Sequence, residues 1–227
     1  MKTTKKALLF TFCAVLLVVA SVLGTMAYLT SSDTVTNTFT VGKVNITLDE
    51  AKVKPDGTYE TDAGNRVGEN KYHLLPGHTY IKDPKVTIVK DSEDAYIRAI
   101  VTVKNIDKLK DTFPYETCKE YYGTDDVFLI QNLVDGWDPA IWVFKGYTEE
   151  ANGTNGKYEF RYTNSFVEGG SSDNALPALF TSITVPGEEI TNDNIKNLSY
   201  VEIKVEAHAI QADGFVNADK AWDAFKK

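Results

Sequence analysis

Beyond the first forty residues the chain alternates between apolar and polar positions for most of its length, the period of a half-buried strand. Val44, Ile46 and Leu48 fall on one side with Asn45 and Thr47 between them, and Phe39 and Val41 precede them in the opposite phase, with Gly42 placed for a bulge. Lys85 to Lys90 predicts a strand. A longer one runs from Ala95 to Asn105, where Ile97, Ala99, Val101 and Val103 alternate against Tyr96, Arg98, Ile100 and Thr102. Ala140–Thr148 and Lys157–Phe166 predict a hairpin, because Asn152-Gly153 and Asn155-Gly156 between them supply the positive φ angles of a tight turn. Phe180–Val185 predicts another strand. Val201–Gln211 alternates over so long a stretch that a central place in the sheet is expected.

Three stretches break the period. Lys54–Lys71, with Pro55-Asp56-Gly57, reads as an exposed turn and loop, and Leu75-Pro76-Gly77 as a turn. Leu109–Val134 mixes both patterns, with room for a short helix. At the end the period lengthens: Asn217 can cap a short helix in which Ala218, Ala221, Trp222 and Phe225 share one face, a lid over one end of the fold. Eight or nine strands with turn signals between them, and almost no helix, predict an all-β antiparallel sandwich over residues 42–227.

The first residues follow another logic. Lys2, Lys5 and Lys6 precede an almost unbroken apolar run from Ala7 to Leu23, and Thr25-Met26-Ala27 offers small residues to a signal peptidase, so residues 1–27 read as an export signal cut between Ala27 and Tyr28. The run is short for a membrane span and no positive stop-transfer cluster follows it. A retained anchor is the alternative, and the membrane is then met only through the uncut signal. Cys13 lies inside this run, which leaves Cys118 without a partner in its own chain; a disulfide framework is excluded and the core must hold the fold.

Net charge is -8, and removing the signal with its three lysines leaves -11. Such a surface repels phosphate backbones, so nucleic acid is a poor partner. Chemistry is sparse. His73, His78 and His208 do not form His-Glu-x-x-His, the acidic clusters at Asp91, Glu93 and Asp94 and at Asp125 and Asp126 do not match a calcium loop, and neither a phosphate loop nor a nucleophile elbow is present. The expectation is a protein without enzymatic activity, cofactor or metal, with a zinc site built from the three histidines as the remote alternative. Trp137, Trp142, Tyr147 and Tyr162 suggest a second alternative, a monomeric surface domain that binds carbohydrate or protein.

Gly24-Thr25-Met26-Ala27-Tyr28-Leu29-Thr30, then Asn37-Thr38-Phe39-Thr40-Val41-Gly42 and Leu48-Asp49, resemble the start of the TasA and camelysin family. So do Leu75-Pro76-Gly77 with Lys82-Asp83-Pro84, Asp94-Ala95-Tyr96-Ile97-Arg98, and Ala207-His208-Ala209-Ile210-Gln211-Ala212 leading to Trp222. The resemblance covers roughly the first hundred and last thirty residues, and Asn105–Leu176 lies outside it. It implies a jelly-roll sandwich, processing by a SipW-type signal peptidase, and secretion into the biofilm matrix of a Gram-positive bacterium as a homopolymeric fibre, with other matrix or cell-wall components as further partners. It also implies that residues 28–41 form a strand donated to the next subunit, with Tyr28, Leu29, Val35 and Phe39 as its apolar contacts. Physically the segment is Thr-rich and β-prone, and an incoming strand satisfies an open sheet edge. The alternative is a leader that hangs free or pairs within its own domain. The metallopeptidase activity described for some camelysins finds no support in the histidine spacing.

Overall fold

The computed structural model describes residues 43–112, 133–151, 153–163, 165–185, 187 and 194–225, all within the unit Gly42–Lys227. Among them eleven strands form three antiparallel sheets. The first has the order β2 (Arg66–Val67), β1 (Ile46–Ala51), β4 (Lys85–Ile88), β9 (Asn174–Ala175). The second runs β3 (Thr79–Ile81), β10 (Ser182–Thr184), β6 (Val134–Asp135). The third and longest has the order β11 (Glu202–Gln211), β5 (Ala95–Lys104), β8 (Asn155–Tyr162), β7 (Trp142–Glu149). Three helices accompany them: α1 (Ile106–Thr112), α2 (Ile195–Leu198) and α3 (Ala218–Ala224). The domain is mostly β and of sandwich type, with a short C-terminal helix.

Strand β5 shows why. Its odd residues Ala95, Ile97, Ala99, Val101 and Val103 are at most 1% exposed, while Arg98 and Ile100 between them reach the other face. They meet Tyr158 and Phe160 of β8, Val86 and Ile88 of β4, Tyr80 of β3 and Leu176, Leu179 and Phe180 in one hydrophobic core. Burying a large apolar side chain contributes roughly 1.5–3 kcal/mol, so this core is a principal source of the domain's stability.

The predicted hairpin forms as β7 and β8, with Gly153 at φ +70° in its turn. The second Asn-Gly pair is not part of the turn. Asn155 and Gly156 open β8, and a side chain at Gly156 would meet Tyr147 and Ile106 at 2.6–2.7 Å, so close packing and not a positive φ calls for glycine there. At the far edge, β7 carries a bulge between Phe144 and Gly146. The Leu75-Pro76-Gly77 turn is present, closed by the His78 N–H on the Leu75 carbonyl, with Gly77 at φ +76°.

Two expectations need correction. Lys54–Lys71 is not wholly an exposed loop: it contains β2, and Arg66 is half-buried there. Its guanidinium pairs with the Asp49 carboxylate, reaches Asp83 Oδ2 at 2.8 Å and bonds the backbone carbonyls of both, tying β1 to the turn before β4. The long strand β11, expected at the sheet centre, lies at its edge among the described strands. Its alternation records one buried face, and one fully paired neighbour is enough to maintain that.

Helix α3 starts where Asn217 predicts, with its side chain accepting the Lys220 N–H at 3.0 Å. It packs Ala218, Ala221 and Trp222 against Tyr96 and Ile210, covering the outer face of the sheet where β5 begins and β11 ends.

Candidate functional site

The outer side of β11 carries backbone groups that β5 does not use. The Ala212 N–H donates to the Asp94 carbonyl, whereas Ala95 exchanges both its groups with Val167 on the opposite side. In an antiparallel ladder this parity propagates. Along β11 the even residues therefore face β5, and Ile203, Val205, Ala207 and Ala209 direct their N–H and C=O groups outward. No other described residue pairs with those groups. The same four side chains point toward the core, yet all remain half-buried while their partners across the ladder in β5, Val103, Val101, Ala99 and Ile97, are closed off. Along this line half-buried apolar side chains coincide with outward backbone groups that have no partner among the described residues, while β1 comes close to β11 without pairing with it.

A groove of about 500 Å³ opens beside the start of this strand. Its walls include Ile203 and Val201 on one side, Tyr80, Ile183 and Val185 on the other, and Leu198 of α2. Segment 70–74 also borders it, with Asn70, Tyr72 and Leu74.

At the floor of that border lies a polar cluster. Lys82, 9% exposed, donates from Nζ to Glu50 Oε2 at 2.7 Å, and Glu50 is itself 5% exposed. Asn70 donates from Nδ2 to Glu50 Oε1 at 3.0 Å and to the Ala51 carbonyl at 2.8 Å, while its Oδ1 accepts the Val53 N–H at 3.0 Å. The backbone donor on one side and the backbone acceptor on the other settle which atom of the amide is which. The Lys82 ammonium lies 5.6 Å from the centre of the Tyr72 ring. Burial, together with the Glu50 charge, pushes the Tyr72 phenol above its ordinary range, and its hydroxyl donates to the Ile81 carbonyl.

On the outer face a second cluster holds α3. The Arg98 guanidinium lies 4.5 Å from the Trp222 ring and 4.7 Å from that of Phe225, and its Nε donates to His208 Nδ1 at 3.1 Å. Burial between these rings lowers the Arg98 pKa, against the pull of Glu159. Arg161 reaches from β8 to Asp219 of the helix at 2.5 Å.

Of the residues singled out in the sequence, Ala27, Tyr28, Leu29, Val35 and Phe39, with Cys13 and Cys118, lie outside the described residues. Trp142 is 1% exposed, donates its indole N–H to the Pro177 carbonyl and packs on Tyr162; Trp137 donates to the Trp142 carbonyl and packs on Phe160; Tyr147 packs on Tyr158. These rings are occupied with packing. His73 and His78 are exposed near the Pro76 turn, whereas His208 serves Arg98. Among the described residues no group of three His, Cys, Asp or Glu side chains is placed to hold a metal, and no helix is long and apolar enough to cross a membrane. Nothing in the residue pattern announces the Glu50–Asn70–Lys82 cluster, whose members stand in three separate stretches of the chain.

No family model, curated protein or solved structure matches the chain.

Proposed function

We propose that this chain is the subunit of an extracellular fibre and that it polymerises by strand donation, with residues Tyr28–Thr40 of one copy lying along β11 of the next. The observation that carries this reading is the coincidence, on β11, of outward N–H and C=O groups with apolar side chains left half-buried. An extra strand completes both at once.

The dimensions agree. Ten residues of β11 span ~33 Å, and thirteen extended residues reach ~43 Å, enough to cover the edge and still connect to the donor's own domain. Tyr28, Leu29, Val35 and Phe39 supply the apolar contacts, with the threonines between them suited to the solvent side of a pleat. Head-to-tail donation does not close on itself, so it yields filaments. The resemblance to the TasA and camelysin family points the same way: a jelly-roll sandwich, a signal cut after Ala27 by a SipW-type peptidase, and a place in the biofilm matrix or at the cell surface. Its role is structural, without catalysis.

The test is assembly of purified secreted protein with and without residues 28–40, followed by sedimentation and negative-stain electron microscopy. The intact chain should form filaments, the truncated chain should remain monomeric, and a synthetic Tyr28–Val41 peptide should bind the truncated chain and block growth of the intact one. Normal filaments from the truncated chain would overturn the proposal.

A further inference from the structure

The Glu50–Asn70–Lys82 cluster holds more chemistry than a structural ion pair needs. Desolvating two opposite charges often goes unrepaid by their attraction, yet here a lysine, a carboxylate and a carboxamide are placed together under an aromatic ring. Each is in the position of a reactant. Lys82 Nζ, a nucleophile once it loses a proton, lies 2.7 Å from Glu50 Oε2, a base. Asn70 Nδ2, a leaving group that departs as ammonia, lies 3.0 Å from the other oxygen of the same carboxylate. The Asn70 carbonyl oxygen takes the Val53 N–H at 3.0 Å, a donor that polarises the carbon and stabilises the negative charge formed when it is attacked. Nucleophile and leaving group are hydrogen-bonded to the two oxygens of one carboxylate, which places both within reach of the same proton carrier.

We propose that Lys82 and Asn70 join in an intramolecular isopeptide bond, with Glu50 as the proton carrier. The balance is complete within the chain. Glu50 accepts a proton from the Lys82 ammonium; the freed amine attacks Asn70 Cγ; the tetrahedral centre collapses as the Cγ–Nδ2 bond breaks. Glu50 passes its proton to the departing nitrogen and takes up the second proton from Nζ, so that ammonia leaves, the new bond is a neutral secondary amide and Glu50 ends protonated. One C–N bond forms and one is lost, with no oxidant, reductant or external co-reactant. The centre of the Tyr72 ring stands 5.6 Å from the Lys82 ammonium, and burial raises its phenol. The bond ties segment 70–74 to the end of β3, fixing one wall of the groove. The inference depends on neither export nor polymerisation.

Peptide mass spectrometry of the folded, purified full chain tests it. Trypsin cuts after Arg66, Lys71 and Lys85, and it cuts after Lys82 only when that amine is free. The expected product is Val67–Lys71 joined to Tyr72–Lys85, lighter than the two peptides together by one ammonia, with fragment ions locating the link at Asn70 and Lys82. Reading peptides separates this from succinimides at Asn152 or Asn155, which also lose ammonia but lie elsewhere in the chain. E50Q should release separate peptides. K82R, which keeps the charge pair with Glu50, should do the same in a chain that still folds by circular dichroism. Separate Val67–Lys71 and Tyr72–Lys82 peptides from wild-type protein, after prolonged incubation under folding conditions, would overturn the proposal. So would persistence of the joined product in E50Q.

Discussion

Proline substitution at neighbouring positions of β11 separates the open-edge reading from one in which that edge has no role. Proline removes a backbone N–H and adds a ring where the hydrogen stood. Ala207 directs its N–H away from β5, so the monomer loses no bond there, and an outward-facing edge position is where sheets accept proline. Glu206 directs its N–H at the Ile100 carbonyl, and proline there breaks the ladder, costing about 2–4 kcal/mol in a lost bond and a stranded acceptor. For an incoming strand the order reverses. Pairing with Ile203, Val205, Ala207 and Ala209 makes about eight hydrogen bonds, each contributing roughly 1 kcal/mol net. Proline at Ala207 deletes one and its ring displaces the neighbours on either side, so about 3 kcal/mol is lost, on the order of a 100-fold weaker association. Urea unfolding measures the first effect and the critical concentration for sedimentable filaments the second. A207P should unfold within about 1 kcal/mol of wild type while its critical concentration rises roughly 100-fold; E206P should lose stability first. If A207P assembles at the wild-type concentration, or if the two variants destabilise the monomer equally, the parity argument is wrong.

Three other outcomes follow from the packing. W142A should cost about 3–5 kcal/mol in urea unfolding, whereas W142F, which loses mainly the bond to the Pro177 carbonyl, should cost a fraction of that; equal costs would mean that the ring is not a core element. N217A should weaken α3 by about 1 kcal/mol, seen as faster amide exchange in Ala218–Ala224 with exchange in β5 unchanged. Because the Tyr72 phenol is raised in the folded state, the unfolded chain releases that proton first. Its contribution is intact below pH 10, the ordinary tyrosine value, and is lost as pH rises through the folded value. Y72F should flatten the alkaline fall in stability, and an unchanged slope would show that Tyr72 is not its source.

Much of the fold was legible because strand periodicity reports the buried face directly. The odd residues of β5, the β7–β8 hairpin with its first Asn-Gly turn, and the Asn217 cap all follow from local chemistry. Periodicity does not report how many neighbours a strand has, which is why β11 read as central. It also does not tell which aromatics are inside: Trp142 has the composition of a binding platform and the place of a core residue. The Glu50–Asn70–Lys82 cluster was illegible for another reason. Polar residues in loop-like stretches are solvated by default, and only the return of segment 70–74 against β1 and the turn before β4 brings these three out of water.

The bulge between Phe144 and Gly146 gives the long sheet two unlike margins. On one side the ladder runs smoothly for ten residues; on the other it is kinked, with Lys145 exposed at the interruption. A kinked, charged margin is a poor template for a foreign strand. In the proposed filament a donated strand is accepted at one margin and turned away at the other, which would give a growing file of subunits a built-in polarity and keep files from fusing sideways into ribbons.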